Sequence, residues 1–302
     1  MFAGIDVSKN WVDVALYGSE ETLSRVQPLK AAKWLKKQGV TLVALEATGG
    51  YELPMVHALI KEKIAVSRIN PRQVRQFGEA VGQRGKTDRL DAKLLARYAA
   101  VVQPSPVVIP AKEQQHLRAL CMRRRELVAM RTQESNRLQQ SVDAFVTMTI
   151  ETMIEHLKAS IKLVEKSIAS FIAEHKPLKE LAERLRTMPG IGPVTAAMLI
   201  AYLPELGEAS RTEIAALAGI APFARESGQW KGKSFCQGGR APVREALYMA
   251  ALSAVRGENQ FRAKYLTLVD KGKPAKVALV AIMRKMLVIL NALIANKVPF
   301  NA

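Results

Sequence analysis

The sequence predicts an α/β domain with a mixed sheet at its amino-terminal end, followed by a mainly helical region. Three observations support this prediction. Short apolar runs alternate with helical patterns over the first seventy residues, three prolines interrupt residues 101–110, and residues 111–175 contain no proline. We therefore expect the α/β domain over residues 1–108, a helical segment with a coiled coil over residues 109–178, and a mainly helical domain over residues 179–302.

The elements of the first part follow from local patterns in chain order. Strands are expected at residues 1–7, 11–17, 22–26, 40–45 and 64–69, with helices at residues 29–38 and 51–61 and from Asn70-Pro71 onward. The almost wholly apolar run at residues 40–45 is typical of a strand covered on both faces. Short turns predict antiparallel pairing among the first three strands, and helical crossovers predict parallel neighbours for the later two.

The rest of the chain is expected to be helical, broken by glycine-rich stretches at residues 188–203 and 226–247. Apolar residues recur at spacings of four, three, four and three in Leu157, Ile161, Val164, Ile168 and Phe171. This heptad pattern predicts two long helices joined near residues 141–149, packed either as a coiled coil or as an ordinary bundle. Residues 277–295 are strongly apolar, but two central basic residues favour a buried terminal helix over a membrane span.

The charge balance indicates a polyanionic partner. Lys and Arg number 45 against 27 Asp and Glu, a net charge of +18 that is spread over several segments. This distribution favours nucleic acid over a membrane surface. The two cysteines, Cys121 and Cys236, exclude a disulfide framework and a Cys-x-x-Cys zinc site. Asp6 interrupts the first apolar run, so we expect no secretory signal and a cytoplasmic location.

Four carboxylates are candidate metal ligands. Asp6 ends the first predicted strand, and Glu46 directly follows the apolar strand at residues 40–45. Asp88 and Asp91 lie three residues apart at a helix start, so they share a helix face. Carboxylates brought together are costly unless cations neutralise them or some become protonated. Their hard oxygens suit Mg²⁺ or Mn²⁺, a pair of which can assist phosphoryl transfer. Taken singly, each residue also has an ordinary explanation as a turn or helix-capping residue.

Basic and glycine residues in three regions are candidate nucleic-acid contacts. The candidates are Arg84, Lys86, Arg89, Lys93 and Arg97 around the second acidic pair; Arg123, Arg124 and Arg125 within residues 118–137; and Gly190 and Gly192. The two glycines lie in a stretch that resembles a helix-hairpin-helix element, where backbone amides approach phosphates closely. A solvated helix face explains the arginine run equally simply, and a tight packed connection explains the glycines.

Several motifs together carry a resemblance to a known family. They are GIDVSK at residues 4–9, EATGGYE at 46–52, INPRQVRQF at 69–77, KTDRLDA at 86–92, PGIGPVTAAMLIA at 189–201, GIAPFARESGQWKGK at 219–233 and REALYMAAL at 244–252. The chain resembles the DEDD transposases of the insertion sequence 110 family over nearly its whole length. The resemblance implies a fold similar to RuvC and RNase H in the first domain, with Asp6, Glu46, Asp88 and Asp91 as the catalytic metal ligands.

The same resemblance implies a serine nucleophile in the second domain, which attacks a DNA phosphate and forms a covalent phosphoserine. The matching residue is Ser227, and Arg225, Lys231 and Lys233 nearby would stabilise a pentavalent phosphate. No histidine lies near Ser227 in the sequence, so its activation must come from elsewhere. The Ser227-Gly228 pair is otherwise a simple turn, and Ser8 and Ser234 are rival candidates.

We therefore expect a site-specific DNA recombinase of an insertion element in a prokaryotic cytoplasm, associated with the nucleoid when it acts. The resemblance further implies a non-coding bridge RNA that pairs with donor and target DNA. It also implies a dimer and tetramer in which the acidic domain of one protomer meets the serine domain of another. Two alternatives stay open: a metal-dependent junction nuclease similar to RuvC, in which water attacks, and a nucleic-acid-binding protein without chemistry.

Overall fold

The computed structural model describes residues 1–82, 88–107, 111–223, 226–227, 230–232 and 235–300, without the side chains of residues 88, 89, 226, 227, 230 and 231. The chain divides into two compact units, Met1–Ile109 and Pro110–Ala302. The first predicted boundary, at residue 108, lies one residue from this division. The second predicted boundary, at residue 178, lies inside the second unit.

The first unit is the mixed α/β domain that the sequence predicts. Its elements are β1 (Phe2–Val7), β2 (Val12–Leu16), β3 (Thr22–Val26), α1 (Pro28–Lys37), β4 (Leu42–Glu46), α2 (Leu53–Lys61), β5 (Ala65–Ile69), α3 (Pro71–Ala80) and α4 (Asp88–Val102). The sheet order is β3-β2-β1-β4-β5. Strands β1, β2 and β3 pair antiparallel, whereas β4 is parallel to both β1 and β5, as the connections require.

Helices cover both faces of this sheet. On one face, Ile5 and Leu45 pack with Leu35 of α1 and Leu59 of α2 in a single apolar cluster. On the other face, Ala44 belongs to a cluster with Leu95, Tyr98 and Ala99 of α4. Because successive strand residues point to opposite faces, every second residue of β1 and β4 faces α4.

The second unit is mainly helical. Its elements are α5 (Lys112–Leu138), α6 (Ala144–Glu174), α7 (Lys176–Arg186), α8 (Pro193–Tyr202), α9 (Arg211–Leu217), β6 (Pro222–Phe223), β7 (Glu226–Ser227), β8 (Trp230–Lys231), β9 (Phe235–Cys236), α10 (Ala241–Ala254), α11 (Gln260–Asp270) and α12 (Ala275–Ala295). Helices α5 and α6 form the predicted antiparallel hairpin. Leu127 of α5 packs against Leu157 of α6, and the ring of His116 lies 4.7 Å from that of Phe171.

One apolar core joins the helical hairpin to the rest of this unit. Leu117 of α5 and Ile168 of α6 belong to the same buried cluster as Leu185 of α7 and Leu199 of α8. This core lies on both sides of residue 178, and the predicted boundary there stays a prediction.

Helix α12 is long and apolar enough, on length and composition alone, to cross a membrane. Its residues Leu279, Ile282 and Leu290 are buried in the core of the second unit. The helix therefore packs as the buried terminal helix that its central basic residues predict.

Candidate functional site

The sheet brings Asp6 and Glu46 to neighbouring positions. Strands β1 and β4 are parallel with Ile5 opposite Leu45, so Asp6 and Glu46 are the next residues on adjacent strands. Both are half-buried. Strand alternation places them on the same face as Ala44, which is the face that α4 covers. The parallel pairing thus aligns the two predicted acids at one sheet edge.

Helix α4 crosses this face in very close contact with β1. A methyl group on Gly4 would overlap the backbones of Ala92, Leu95 and Ala96, with the carbonyl carbon of Leu95 2.6 Å from the methyl carbon. Phe2, at the other end of β1, packs against the cluster that contains Tyr98 and Ala99. Helix α4 therefore runs in the direction opposite to β1, with its later residues next to Phe2 and its earlier residues next to Gly4. This direction puts the start of the helix at the end of β1 where Asp6 lies.

Asp88 and Asp91 occupy that first turn of α4. Asp91 is half-buried, whereas the side chain of Asp88 lies outside the described part of the structure. Among the side chains that the structure describes, no three His, Cys, Asp or Glu residues are grouped closely enough to hold a metal ion. Asp6, Glu46 and Asp91 each interact with neighbouring groups. The shared edge is thus a feature of the topology, while the metal site stays a prediction.

Sequence reasoning missed a further carboxylate on this face. Asp13 lies directly opposite Asp6 in the β1–β2 ladder and is buried. Its Oδ1 accepts a hydrogen bond from the backbone N–H of Arg25 at 3.3 Å. The alternating pattern of residues 11–17 already indicated this placement. Asp13 stands between the apolar residues Val12 and Val14 and therefore faces the opposite side of the strand.

Glu52 organises the loop that follows Glu46, and it too was missed. Its side chain is fully buried, and Oε2 accepts hydrogen bonds from Thr48 N (3.2 Å), Thr48 Oγ1 (2.9 Å) and Gly50 N (2.8 Å). Oε1 forms an ion pair with Arg68 Nη2. Burial favours protonation, but the hydrogen bonds and the Arg68 charge outweigh it and hold the pKa of Glu52 below its usual value. The carboxylate is therefore ionised and fully partnered.

Ser227 lies in a short two-stranded ladder between α9 and α10. Strand β7 pairs antiparallel with β8, with Ser227 opposite Trp230, and β6 pairs with β9 through Phe223 opposite Phe235. We call residues 222–236 the serine arm. The sequence predicts a glycine-rich break in the helical pattern at residues 226–247, and the structure adds short strands there that were not predicted.

The structure describes little of the basic residues predicted near Ser227, and it describes one of the two rival serines. Arg225, Lys233 and Ser234 lie outside the described residues, as does the side chain of Lys231. Ser8 forms the turn between β1 and β2, where its N–H donates to Trp11 O at 3.0 Å. This bond accounts for Ser8 as a turn residue.

Both ends of the serine arm are held at one point. Arg240 donates to both carboxylate oxygens of Glu205 at 2.6 Å and to the carbonyl of Tyr202 at 2.8 Å. Gly219 has φ +70°, and a Cβ there would lie 3.0 Å from the carbonyl carbon of Gly238. Only glycine permits this backbone approach with that φ. The arm therefore begins and ends at a fixed base.

The arginines of α5 form ion pairs within the second unit. Arg124 pairs with Glu165 at 2.7 Å, and Arg125 donates to both oxygens of Glu245 at 2.7 and 2.8 Å. Arg123, 55% exposed, pairs weakly with a neighbour on its own helix at 3.3 Å. Two of the three guanidinium groups thus link helices, and the predicted nucleic-acid contact of this run stays a prediction.

The two glycines of the hairpin at residues 190–192 differ in their surroundings. Gly190 has φ +86°, and a Cβ there would lie 2.9 Å from the Cβ of Ala254. Gly192 caps the start of α8, and apart from its chain neighbours no residue that the structure describes has an atom within 4 Å of where its Cβ would be. Packing accounts for Gly190, while Gly192 leaves the start of α8 open.

The basic residues predicted beside the second acidic pair are also unevenly described. Arg84 and Lys86 lie outside the described residues, and so does the side chain of Arg89. Lys93 pairs with Glu20 at 2.7 Å. Arg97 is exposed on α4.

Two family models and several relatives match this chain. A model for DEDD transposases of IS110 elements matches residues 3–147, and a second, for transposases of the IS116/IS110/IS902 family, matches residues 182–266. The pilin gene-inverting proteins of Moraxella bovis and Moraxella lacunata are each 30% identical over 99% of this chain and 97% of their own length. A Sinorhizobium fredii protein named "Putative transposase y4pF/y4sB" is 25% identical over 84% of this chain and 73% of its own length.

The matched ranges contain the sheet edge with Asp6 and Glu46, the start of α4, and the serine arm. The similarity to the Moraxella proteins extends over nearly the whole of both chains. This chain therefore belongs to the IS110 family of transposases, which are DNA-processing recombinases.

Proposed function

We propose that this transposase is a site-specific DNA recombinase with a divalent-metal site at the sheet edge and Ser227 as its nucleophile. The observation that carries the proposal is the placement of Asp6 and Glu46 on adjacent parallel strands, beneath the helix that begins with Asp88 and Asp91. The names of the Moraxella relatives support it, because inverting a gene requires cutting and rejoining DNA.

The chemistry of these side chains fits Mg²⁺ or Mn²⁺. Asp6, Glu46, Asp88 and Asp91 supply only carboxylate oxygens, which such hard cations prefer. When bound, the ions would neutralise charge on a phosphate and lower the pKa of a coordinated hydroxyl. The four residues would hold the ions at the sheet edge, where the backbone of two strands and one helix fixes their spacing.

Ser227 would act from the serine arm. In the proposed step its Oγ forms a bond to a DNA phosphorus, the P–O bond to one sugar breaks, the serine proton leaves, and the released sugar oxygen takes up a proton. The phosphodiester is exchanged for a phosphoserine diester, so rejoining needs no external energy source. The cationic residues Arg225, Lys231 and Lys233 would stabilise the extra charge of the pentavalent phosphate.

A bridge RNA would supply the sequence selectivity. The proposal rests on the family resemblance and on the net charge of +18, which favours polyanionic partners. In this scheme base pairing selects donor and target, and the protein recognises shape and performs the chemistry. Sequencing the RNA that copurifies with the protein tests it. One defined non-coding transcript encoded beside the gene supports guidance, and only random cellular RNA contradicts it.

Strand cleavage with two variants tests the proposed chemistry. DNA carrying the ends of the element is incubated with the protein and Mg²⁺, and products are separated under denaturing conditions with and without protease. Ser227→Ala should abolish both cleavage and the protease-sensitive DNA adduct, whereas Ser8→Ala and Ser234→Ala should retain them. Asp88→Asn should also abolish both. Cleavage by Ser227→Ala would instead identify a nuclease, and unchanged function of Asp88→Asn would identify a binding protein without chemistry.

Mixing the two inactive variants tests whether the two parts act in different protomers. If the acidic site of one copy serves Ser227 of another, a mixture of Asp88→Asn and Ser227→Ala proteins should recover part of the cleavage activity. A mixture that stays inactive while each variant still associates with the wild type would place both parts of the site in one protomer.

A further inference from the structure

We propose that Glu52 is a positioning residue that fixes the direction in which Glu46 leaves the sheet. The inference rests on the proposed function, since it takes Glu46 to be a metal ligand. Glu52 itself is not a candidate ligand, because its side chain is fully buried and both of its oxygens have partners within the protein.

The first argument is the course of the backbone directly after Glu46. Ala47 N donates to the carbonyl of Ile69 at 3.0 Å and so extends the ladder with β5 by one residue. Thr48 then gives both its N–H and its hydroxyl to Glu52, and Gly50 gives its N–H to the same oxygen. Hydrogen bonds therefore hold the chain on both sides of Glu46, through the β4 ladder before it and through the loop bonds after it.

The second argument is the face of the sheet on which Glu52 acts. Arg68, its ionic partner, lies opposite Leu45 in the β4–β5 ladder. Leu45 faces the cluster with α1 and α2, and strand alternation puts Glu46 on the opposite face. Glu52 thus holds the loop from the face opposite Glu46, where it does not compete for a cation and can act on Glu46 through the backbone of the loop.

Burying the charged side chain of Glu52 costs free energy. A fully buried carboxylate loses its hydration, and that loss is offset only when several donors and a countercharge are in place. Two glycines with positive φ, Gly49 (+76°) and Gly50 (+126°), let the loop turn so that these donors converge. A loop needed only as a connection has no use for a buried charge, and a polar uncharged cap would close it at lower cost.

The test measures metal binding separately from folding. Glu52→Gln replaces one acceptor oxygen with an NH₂ group, which must face either the loop N–H groups or Arg68. The matched control is Glu62→Gln, which breaks the 2.7 Å ion pair with Lys36 at the opposite end of the same helix, α2. Mn²⁺ binding is titrated by electron paramagnetic resonance, and thermal unfolding is recorded for each protein.

We expect Glu52→Gln to weaken Mn²⁺ binding about 10-fold, the usual effect of losing a partner that orients a ligand, and Glu62→Gln to bind as the wild type does. The Mg²⁺ concentration that half-saturates DNA cleavage should rise in the same proportion, with activity recovering at high Mg²⁺. A purely structural role would lower the unfolding temperature and leave both midpoints unchanged. That result, in folded Glu52→Gln protein, overturns the inference.

A second variant keeps the test decisive if Glu52→Gln does not fold. Thr48→Ala removes one of the three loop donors and leaves the carboxylate and Arg68 in place. This variant should also weaken Mn²⁺ binding, by about 3-fold, because it loses roughly one of the hydrogen bonds that hold the loop. Wild-type affinity in Thr48→Ala then overturns the inference.

Asp6→Asn distinguishes the inference from the proposed function. If Asp6→Asn weakens Mn²⁺ binding and Glu52→Gln does not, only the role of Glu52 is wrong. If the wild type binds no Mn²⁺ at millimolar concentration, or if Asp6→Asn binds it as well as the wild type, both proposals fail.

Discussion

Replacing Gly4 with alanine tests the contact that brings the start of α4 to the strand ends. In the structure, a methyl carbon on Gly4 would lie 2.6 Å from the carbonyl carbon of Leu95 and closer still to backbone atoms of Ala92 and Ala96. An ordinary contact begins at 3.4 Å. All three neighbours are backbone atoms of one helix, so no side chain can rotate to relieve the overlap, and α4 must move away from β1 by about 0.8 Å or more.

This displacement sets the expected size of the effect. Overpacking of this kind costs about 1–3 kcal/mol of folding free energy. The helix carries Asp88 and Asp91, so they move away from Asp6 as it shifts. A misplacement of about 1 Å in a catalytic group reduces the rate by up to about 100-fold. We therefore expect Gly4→Ala to retain its fold at low temperature but to cleave DNA about 10- to 100-fold more slowly.

The control is Gly18→Ala in the same unit. Gly18 has φ +76°, and apart from its chain neighbours none of the described residues has an atom within 4 Å of its Cβ position. Alanine there therefore strains the backbone by about 1–2 kcal/mol without moving α4. Urea unfolding and strand cleavage are measured for both variants. Wild-type cleavage by stable Gly4→Ala protein, or equal loss in both variants, would refute the argument that α4 sets the geometry of the acids.

Three further predictions follow from other contacts. Arg240→Ala should lower the free energy of unfolding by about 1.5 kcal/mol. Adding Glu205→Gln should lower it little further, because the two side chains form one ion pair. Additive losses in urea unfolding would contradict this prediction. Burial raises the pKa of Cys121 to about 12, while Cys236 is exposed, so a disulfide-exchange reagent at about pH 8 should modify one thiol per native chain, and two would contradict the buried site. The folded-state pKa of Glu52 lies below its usual 4.5, so its contribution is complete at neutral pH and is lost as the pH falls through that lowered pKa. The difference in unfolding temperature between wild type and Glu52→Gln should therefore narrow under acid conditions, and a constant difference would show that the charge is not what stabilises the loop.

The five strands of the first unit were predictable from the sequence because each one is marked by its own residues. The apolar run ending at Leu45 requires cover on both faces, and the short turn around Ser8 permits only antiparallel neighbours. These local patterns predicted the mixed sheet and placed Asp6 and Glu46 at strand ends, whereas the parallel pairing of β1 with β4 that makes them neighbours came from the structure. The heptad of α6 likewise predicted a long helix, but the turn before it lies at residues 139–143, earlier than the predicted 141–149, because α6 already begins at Ala144.

Contacts between residues distant in sequence could not be predicted. The partners of Arg124 and Arg125 lie 41 and 120 residues away, so their ion pairs depend on how α5 packs against α6 and α10. Glu52 follows a Gly-rich loop, and its local sequence is typical of an exposed residue. Its buried charge depends on the ion pair with Arg68 of β5, which lies far from it in the sequence. Local periodicity carries no information on such pairs, because it records which face is buried and not what that face meets.

The most direct test of the account is the position of bound Mn²⁺ in a crystal of the protein with its DNA, located by anomalous scattering. We expect one or two ions with ligand oxygens from Asp6, Glu46, Asp88 and Asp91 at about 2.1 Å, next to the phosphate that Ser227 attacks. Ions bound elsewhere, with Asp6 and Glu46 directed away from the start of α4, would contradict it.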